Sequence, residues 1–599
     1  MCRIAGIINP SLPIAQLTGM VKDMCRLQKH GGPDDEGLYS DEAGKLVMGH
    51  RRLSLIDLSA AGHQPMQYAH ERYCITYNGE LYNYITLKAE LIKAGCPFTT
   101  NSDTEVILAA FSVWGTQAFA KFVGMYAFAL FDKETDAIYL VKDPSGIKPL
   151  YYAITAEGLA FASEVRALAS ISYLQIPNKK WPVYFLAYGH LPKPITTLQD
   201  VKPLTKGCFI RYHLPTGTWD TQVFSFYSYV EKYSNRSEAI AMLQQSLQAA
   251  VNRHLIADAP IGVFLSGGLD SSIMALLAKQ EHRDILKTLS IYFKEAAYSE
   301  KTFQDIMVKQ LSCTHHSYLI TETDFHEALP QIFGAMDLPS CDGINTWFIS
   351  KSAKANGLKA VLSGIGGDEL FGGYPSFNRM ESTNRLADLP AKVLQAGKFS
   401  ASKKMRRLVY LTIPGPVGRY LFLRGQSTPQ EIAKQLDCSE KEVWDILTEQ
   451  PVLNDIHALS DKNQASWVEL NMYMQNQLLR DSDVMSMSHG IEIRVPFLDN
   501  DFVKLALGLS TEIKYAGHSD KQMLIDAFKD QLPKPIWNRP KMGFSFPFAE
   551  WLAQNEMAKD LFLSGGKKAV ANYRDFTAGK LHWSQFMSLL LLNKQFNAV

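Results

Sequence analysis

Apolar residues in the first third of the chain arrive in short runs between turn residues. Examples are Gly44-Lys-Leu-Val-Met-Gly49, Tyr73-Cys-Ile-Thr-Tyr77, Tyr126-Ala-Phe-Ala-Leu-Phe131 and Ala137-Ile-Tyr-Leu-Val141. Runs this short, bounded by turn residues, predict β-strands. Two stretches with helical apolar spacing interrupt them, residues 15–29 and residues 84–94, the latter continuing near 104–113. The pattern predicts sheets carrying helices on their outer faces. Residues 189–235 are rich in Pro, Gly and Thr and predict a linker near their end. Beyond it the rhythm changes to a helix over 237–257, a buried run Ile261-Gly-Val-Phe-Leu265, a glycine turn and a helix from Ser271. Apolar runs at 286–293 and 360–362 repeat this alternation, which predicts a parallel α/β sheet. From about residue 385 the pattern is mainly helical. A chain of 599 residues exceeds one core, and two domains are expected, 1–210 and 235–599.

Charge narrows the partners. Lys plus Arg number 61 and Asp plus Glu 60, so nothing in the net charge draws the chain to nucleic acid or an anionic membrane. Small charged metabolites remain open. No apolar run reaches the roughly 18 residues of a membrane span, and residues 589–592 are expected to be a buried face of the last helix. The opening residues lack the apolar length and small-residue cleavage site of a secretory leader, and the expected location is cytoplasmic. None of the 8 cysteines lies in a CxxC pair or a zinc-type cluster, and a reducing compartment argues against disulfides. Cys25, Cys74, Cys96, Cys208, Cys313, Cys341 and Cys438 are expected to be small buried residues. Cys2 stands apart because of its position.

Removal of Met1 would leave Cys2 with a free α-amine, a built-in general base with an unperturbed pKa near 8. An amide hydrolase also needs donors for the tetrahedral oxyanion and a clamp for the polar end of its substrate. The chain offers Arg52-Leu-Ser-Leu-Ile56, Tyr77-Asn-Gly-Glu-Leu-Tyr-Asn83 and Ser102-Asp-Thr-Glu105. Arg52 can hold a carboxylate through a bidentate pair. The Asn78 amide and the Gly79 N–H suit an oxyanion hole, and Asp103 can pair with an ammonium. Taken singly, each has a plainer reading: a surface ion pair for Arg52, a hairpin turn for Asn78-Gly79 and a helix cap for Asp103.

Together, in this order behind Cys2, these segments resemble the class II glutaminase domain of asparagine synthetases, an N-terminal-nucleophile hydrolase. The likeness extends through His30-Gly-Gly-Pro-Asp-Asp-Glu-Gly37, Gly124-Met-Tyr-Ala-Phe-Ala-Leu-Phe-Asp132, Asp143-Pro-Ser-Gly-Ile-Lys-Pro-Leu-Tyr-Tyr152 and Phe161-Ala-Ser-Glu164. It implies an αββα sandwich with Cys2 as nucleophile and Asn78 and Gly79 as the oxyanion hole. It further implies glutamine bound by Arg52, Leu53, Ile56, Asn78, Gly79, Glu80 and Asp103. Two positions depart from the family pattern, Arg3 where glycine is usual and Gly31 where arginine is usual. Either Arg3 crowds the nucleophile or it supplies from the other side the positive charge that Gly31 lacks.

In the second domain, Ser266-Gly-Gly-Leu-Asp-Ser-Ser272 sits between an expected strand and helix. Backbone N–H groups and a helix N-terminus there can cradle a phosphate chain, and Asp270 can hold magnesium. The Walker lysine is missing, so transfer of a γ-phosphate is not implied. The motif resembles the pyrophosphate loop of N-type ATP pyrophosphatases. Three further stretches resemble asparagine synthetases: Leu362-Ser-Gly-Ile-Gly-Gly-Asp-Glu-Leu-Phe-Gly-Gly-Tyr374, Met485-Ser-Met-Ser-His-Gly-Ile-Glu-Ile-Arg-Val-Pro-Phe-Leu-Asp499 and Arg539-Pro-Lys-Met-Gly-Phe544. The resemblance implies a parallel-sheet α/β ATP pyrophosphatase domain with a helical C-terminal part. ATP would be bound by Leu265, Ser266, Gly267, Gly268, Asp270, Ser271, Ser272, Ile291, Ser363 and Gly364. Mg2+ would sit on Asp270 and Asp368, with Lys541 neutralising phosphate charge.

The implied enzyme is a glutamine-hydrolysing asparagine synthase. It would take glutamine, ATP and aspartate, release AMP and pyrophosphate, and assemble, where the resemblance extends that far, as a homodimer. Ile365 departs from this, because the family usually has glutamate there and isoleucine can neither accept a proton nor hydrogen-bond through its side chain. Tyr292 stands where glycine is usual. Either another acid, Glu369 or Asp342, substitutes, or the acceptor is a different carboxylate such as a sugar acid or a secondary metabolite. A non-catalytic protein retaining the fold is a third reading, opposed by the presence of Cys2, Asp270 and Lys541.

Overall fold

The computed structural model describes residues 2–281, 286–449, 456–543 and 546–596. Phe544, which closes the Arg539 motif, lies outside the described residues. Two six-stranded antiparallel sheets make up the first domain. One runs, in spatial order, Lys202–Pro203, Tyr151–Thr155, Gly158–Ala162, Arg3–Ile8, Leu46–Arg52 and Asp35–Asp41. The other runs Trp219–Val223, Cys208–His213, Ala137–Lys142, Gly124–Asp132, Tyr73–Leu81 and Met66–Tyr68. The strands Tyr73–Leu81 and Gly124–Asp132 are buried at every position, as expected where a sheet is covered on both faces. Helix Ile14–Leu27 packs on the first sheet, and helices Tyr84–Lys93 and Asp103–Trp114 on the second. The apolar runs predict these sheets with outer helices, and the resemblance implies their layering as a sandwich. Gly95, at a φ of +89°, ends the first of those two helices, so residues 84–94 and 104–113 belong to separate elements. The second sheet extends to Val223, beyond residue 210.

Residues 224–235 cross to the second domain without helix or strand, apart from a bridge between Tyr233 and Leu509. There a five-stranded parallel sheet runs Thr314–Leu319, Lys287–Tyr292, Ile261–Phe264, Ala360–Leu362 and Glu492–Arg494. The chain builds outward in one direction from Ile261–Phe264 and then returns to its other side through Ala360–Leu362. That reversal opens a crevice at the carboxyl ends of these two strands, the usual ligand site of an open parallel sheet. Two strands have no signal in the sequence: Thr314–Leu319 is a half-exposed edge strand, and Glu492–Arg494 is a three-residue strand inside an otherwise helical region.

The last helix, Trp583–Phe596, buries Leu589, Leu590, Leu591 and Leu592. Among the described residues no helix is long and apolar enough to cross a membrane. All the cysteines are free, and Cys96, Cys313 and Cys438 are half-buried, not fully buried as the sequence suggested.

Candidate functional site

Cys2 leads directly into the strand Arg3–Ile8, whose neighbours Leu46–Arg52 and Gly158–Ala162 fix its position. The thiol lies 4.0 Å from the Leu53 carbonyl oxygen. Burial pushes its pKa up, while the nearby Arg52 charge pulls it down. Cys2 N–H donates to Asn78 Oδ1 at 3.2 Å. Asn78 is fully buried, and its Nδ2 has no hydrogen-bond partner among the described residues. A buried amide donor without a partner carries a desolvation cost that a developing oxyanion would relieve. Asn78 and Gly79 lie within the strand Tyr73–Leu81 and do not form a hairpin turn. A Cβ on Gly79 would stand 2.3 Å from the Met125 carbonyl oxygen, so glycine lets the two strands approach.

Arg52 is buried, not a surface ion pair. Its guanidinium donates to the carbonyls of Ser59 (2.9 Å), Ile56 (3.5 Å) and Asp57, and Gly62 leaves room for it. These contacts shape the 52–59 loop and leave donors of the five-donor fork for a substrate carboxylate. Ser102, not Asp103, caps helix Asp103–Trp114. Asp103 Oδ2 accepts from the Tyr77 hydroxyl (3.0 Å) and the Leu81 N–H (2.9 Å), and burial pushes its pKa up to about 6. Its carboxylate thus braces both sides of the Asn78-Gly79-Glu80 segment.

Glu80 reaches out of this domain. Its Oε2 lies 3.2 Å from Arg494 Nη2 in the second domain, and burial raises its pKa. The Arg494 guanidinium also donates to Glu492 (2.6 Å) and to the carbonyls of His254 and Ile256 (2.7 Å each). The Arg494 carbonyl accepts from Ser363 N–H at 2.8 Å. One residue therefore touches the Glu80 segment through its side chain and the Ser363 loop through its backbone.

The second site lies at the crevice in the parallel sheet. Leu265 N–H bonds to the Leu289 carbonyl at 2.8 Å, carrying the strand into the Ser266 loop. Ser266 and Ser271 hydroxyls lie 2.9 Å apart, and Gly268 N–H donates to Ser266 Oγ at 3.2 Å. Gly267 has a φ of +85°, a left-handed turn that glycine adopts without strain. Ser272 Oγ is buried with no partner among the described residues. Across the crevice, a Cβ on Gly364 would stand 2.9 Å from Asp270 Cβ, so the two loops are in close contact. On the neighbouring strand Lys287–Tyr292, the Ile291 carbonyl accepts from Gln304 Nε2 of helix Lys301–Leu311 at 3.0 Å.

Asp270 and Asp368 come together in the crevice on a lysine that the sequence did not flag. Lys521 Nζ lies 2.7 Å from each carboxylate, and Lys541 Nζ lies 2.7 Å from Asp368. Lys521 has a φ of +57°, an uncommon backbone for a bulky residue and one that tends to mark functional sites. Burial alone would raise the Asp368 pKa, but the two ammonium groups hold it at about 2. Asp270 Oδ1 is buried without a hydrogen bond among the described residues. Two carboxylates with a spare acceptor fit a magnesium ion that takes its other ligands from phosphates and water.

Beside this pair, Glu369 accepts from the Tyr374 hydroxyl at 2.8 Å, and burial with the adjacent Asp368 charge pushes its pKa up to about 7. Lys541 Nζ lies 4.4 Å from the Tyr374 ring centre, and the Arg424 guanidinium packs on Tyr374 (4.7 Å) and Tyr473 (3.8 Å). Arg424 and Tyr473 also line a cavity of about 540 Å³ into which Asp342 faces.

Two built sites, one around Cys2 and one in the crevice of the parallel sheet, therefore share one chain. The glutamine amidotransferase domain model matches residues 1–224 and the asparagine synthase model matches residues 242–585. Asparagine synthetase [glutamine-hydrolyzing] 1 of Bacillus subtilis is 32% identical over 581 residues, covering 93% of this chain and 88% of that relative. A putative asparagine synthetase [glutamine-hydrolyzing] of Mycobacterium tuberculosis is 30% identical over 92% of this chain and 88% of its own length. Asparagine synthetase B of Escherichia coli is 26% identical over 91% of this chain and 82% of its own length. The chain belongs to the asparagine synthase family and is a glutamine-dependent amidotransferase.

Proposed function

We propose that the chain makes asparagine from aspartate, using glutamine as nitrogen donor and ATP as activator, with AMP and pyrophosphate as products. Cys2 attacks the glutamine carboxamide carbon, a thioester forms, ammonia leaves, and water then releases glutamate. With Met1 removed, the Cys2 amine serves as base beside Asn78 Oδ1, and Asn78 Nδ2 with the Gly79 N–H receives the oxyanion. At the second site the aspartate β-carboxylate attacks the α-phosphorus of ATP and pyrophosphate departs. Ammonia then attacks the acyl carbon, AMP leaves and a proton is lost. Lys521 and Lys541 transfer their charge from the aspartates to the phosphates. Asp270 and Asp368 would hold magnesium, which neutralises phosphate charge when bound. Glu369 stands in for the acid missing at Ile365. A cytosolic setting suits the free cysteines.

The observation that carries this reading is the pair of built sites, an Asn78 amide without a partner among the described residues beside Cys2 and two lysines on Asp270 and Asp368. A second reading, amidation of another carboxylate, draws on Ile365 and on the cavity beside Tyr473. The test supplies glutamine, ATP and magnesium with aspartate or with other carboxylates and measures pyrophosphate. Aspartate-dependent pyrophosphate with asparagine formation supports the first reading. Glutamine hydrolysis with pyrophosphate released only on another carboxylate overturns it in favour of the second.

A further inference from the structure

We propose that Arg3 is a positioning residue that ties the nucleophile's strand to the synthetase half, and that Gly31 is glycine to give it room. Consecutive strand residues point to opposite faces, so Arg3 extends away from Cys2 and does not crowd it. Its side chain is fully buried. Arg3 Nε lies 2.7 Å from Glu164 Oε1 in its own domain, and Nη1 lies 2.9 Å from Asp483 Oδ2 in the other. Glu164 is held in turn by His30 Nε2 and Arg166 Nε, each at 2.9 Å. A Cβ built on Gly31 would stand 2.8 Å from Arg3 Cγ and 2.9 Å from Arg3 Nε. Gly31 has no left-handed backbone that would call for glycine. What it supplies is space, and Arg3 fills it.

The consequence is mechanical. Cys2 immediately precedes Arg3, the first residue of the strand Arg3–Ile8, so a shift of the Arg3 backbone moves the thiol. Asp483 lies in helix Leu479–Met487, which leads into the strand Glu492–Arg494. Arg494 in turn grips Glu80. The synthetase half therefore holds the glutaminase half at two points that flank the nucleophile, at Arg3 and at the segment following Asn78. Both joints are buried ion pairs, which lose most when one partner is removed. Resting on the amide-ligase reading, this arrangement makes glutamine hydrolysis respond to the state of the second site.

The test compares the wild-type chain, Arg3→Gly, Arg3→Lys, Gly31→Ala and the exchange Arg3→Gly/Gly31→Arg. Glutamate formed per pyrophosphate released is measured alongside ammonia-dependent synthesis and melting temperature. Arg3→Gly is expected to raise the glutamate-to-pyrophosphate ratio by roughly threefold or more while ammonia-dependent synthesis stays near wild type. Arg3→Lys should recover part of the effect, and Gly31→Ala should disturb the ratio through its contact with Arg3. The exchange returns a guanidinium to the same space from the other side and should restore both ratio and melting temperature. An unchanged ratio in Arg3→Gly, or an exchange variant no more stable than Arg3→Gly, overturns the proposal. If the wild-type chain turned over neither glutamine nor ATP, the amide-ligase reading would fail. The melting-temperature cycle would still decide the exchange of space.

Discussion

The two sites fix their reactive groups by opposite means. Around Cys2 the fixed parts are strand register, carbonyls and one amide: Asn78 is set by its place in Tyr73–Leu81 and its Nδ2 has no partner among the described residues. Around Asp270 the fixed parts are charges that already satisfy one another, two carboxylates against two ammonium groups. A site of the first kind is organised before substrate arrives. One of the second kind, on the proposed reading, redistributes its ion pairs when the lysines meet a phosphate. The contrast predicts sharp, local losses from substitutions in the first site and losses that depend on charge and pH in the second.

The largest effect is expected from Cys2→Ala, which should lower glutamine-dependent synthesis by roughly 10⁴-fold or more. Ammonia-dependent synthesis should persist; loss of both would mean the sites are not separable. Next, Lys521→Met should reduce pyrophosphate release by about 10³-fold while glutamine hydrolysis continues. It also leaves Asp270 and Asp368 facing each other with one cation fewer, so apo stability should fall and magnesium should recover part of it. A melting curve insensitive to magnesium would count against the carboxylates as its ligands.

On the proposed oxyanion role of its amide, Asn78→Ala should slow glutamine hydrolysis by roughly 10²–10³-fold with little change in KM. A change in KM alone would assign Asn78 to ground-state binding. The smallest effect concerns pH. Glu369 is buried beside Asp368, so its neutral form persists up to about 7. If it accepts a proton during amide formation, the second half-reaction should weaken by about tenfold per unit as pH falls below that value. Comparison with Glu369→Gln cancels the titration of ammonia itself; an identical acidic limb in both would exclude this role.

The candidates of the first site are readable from order along the chain, because Cys2, Arg52, Asn78-Gly79 and Asp103 lie at or in separate elements of one sandwich, in chain order. The nucleotide loop is readable for a similar reason, since a strand, a glycine turn and a helix occupy consecutive residues. Lys521 has no such signal. It stands 251 residues from Asp270, and nothing in Ser519-Asp520-Lys521-Gln522 marks it out before the crevice forms. The sequence suggests Glu80 as a substrate contact and gives no hint of Arg494 as its partner, because pairing across domains leaves no local trace. The edge strand Thr314–Leu319 escaped because its exposure breaks the apolar pattern that reveals buried strands.

The meeting of Glu80 with Arg494 bears on how such a protein can be rebuilt. A chimera that joined this glutaminase to an unrelated synthetase would strand a buried carboxylate on one side of the seam and a guanidinium on the other. Recombination between related genes is thus constrained at the seam, and the halves are expected to be inherited as a matched set.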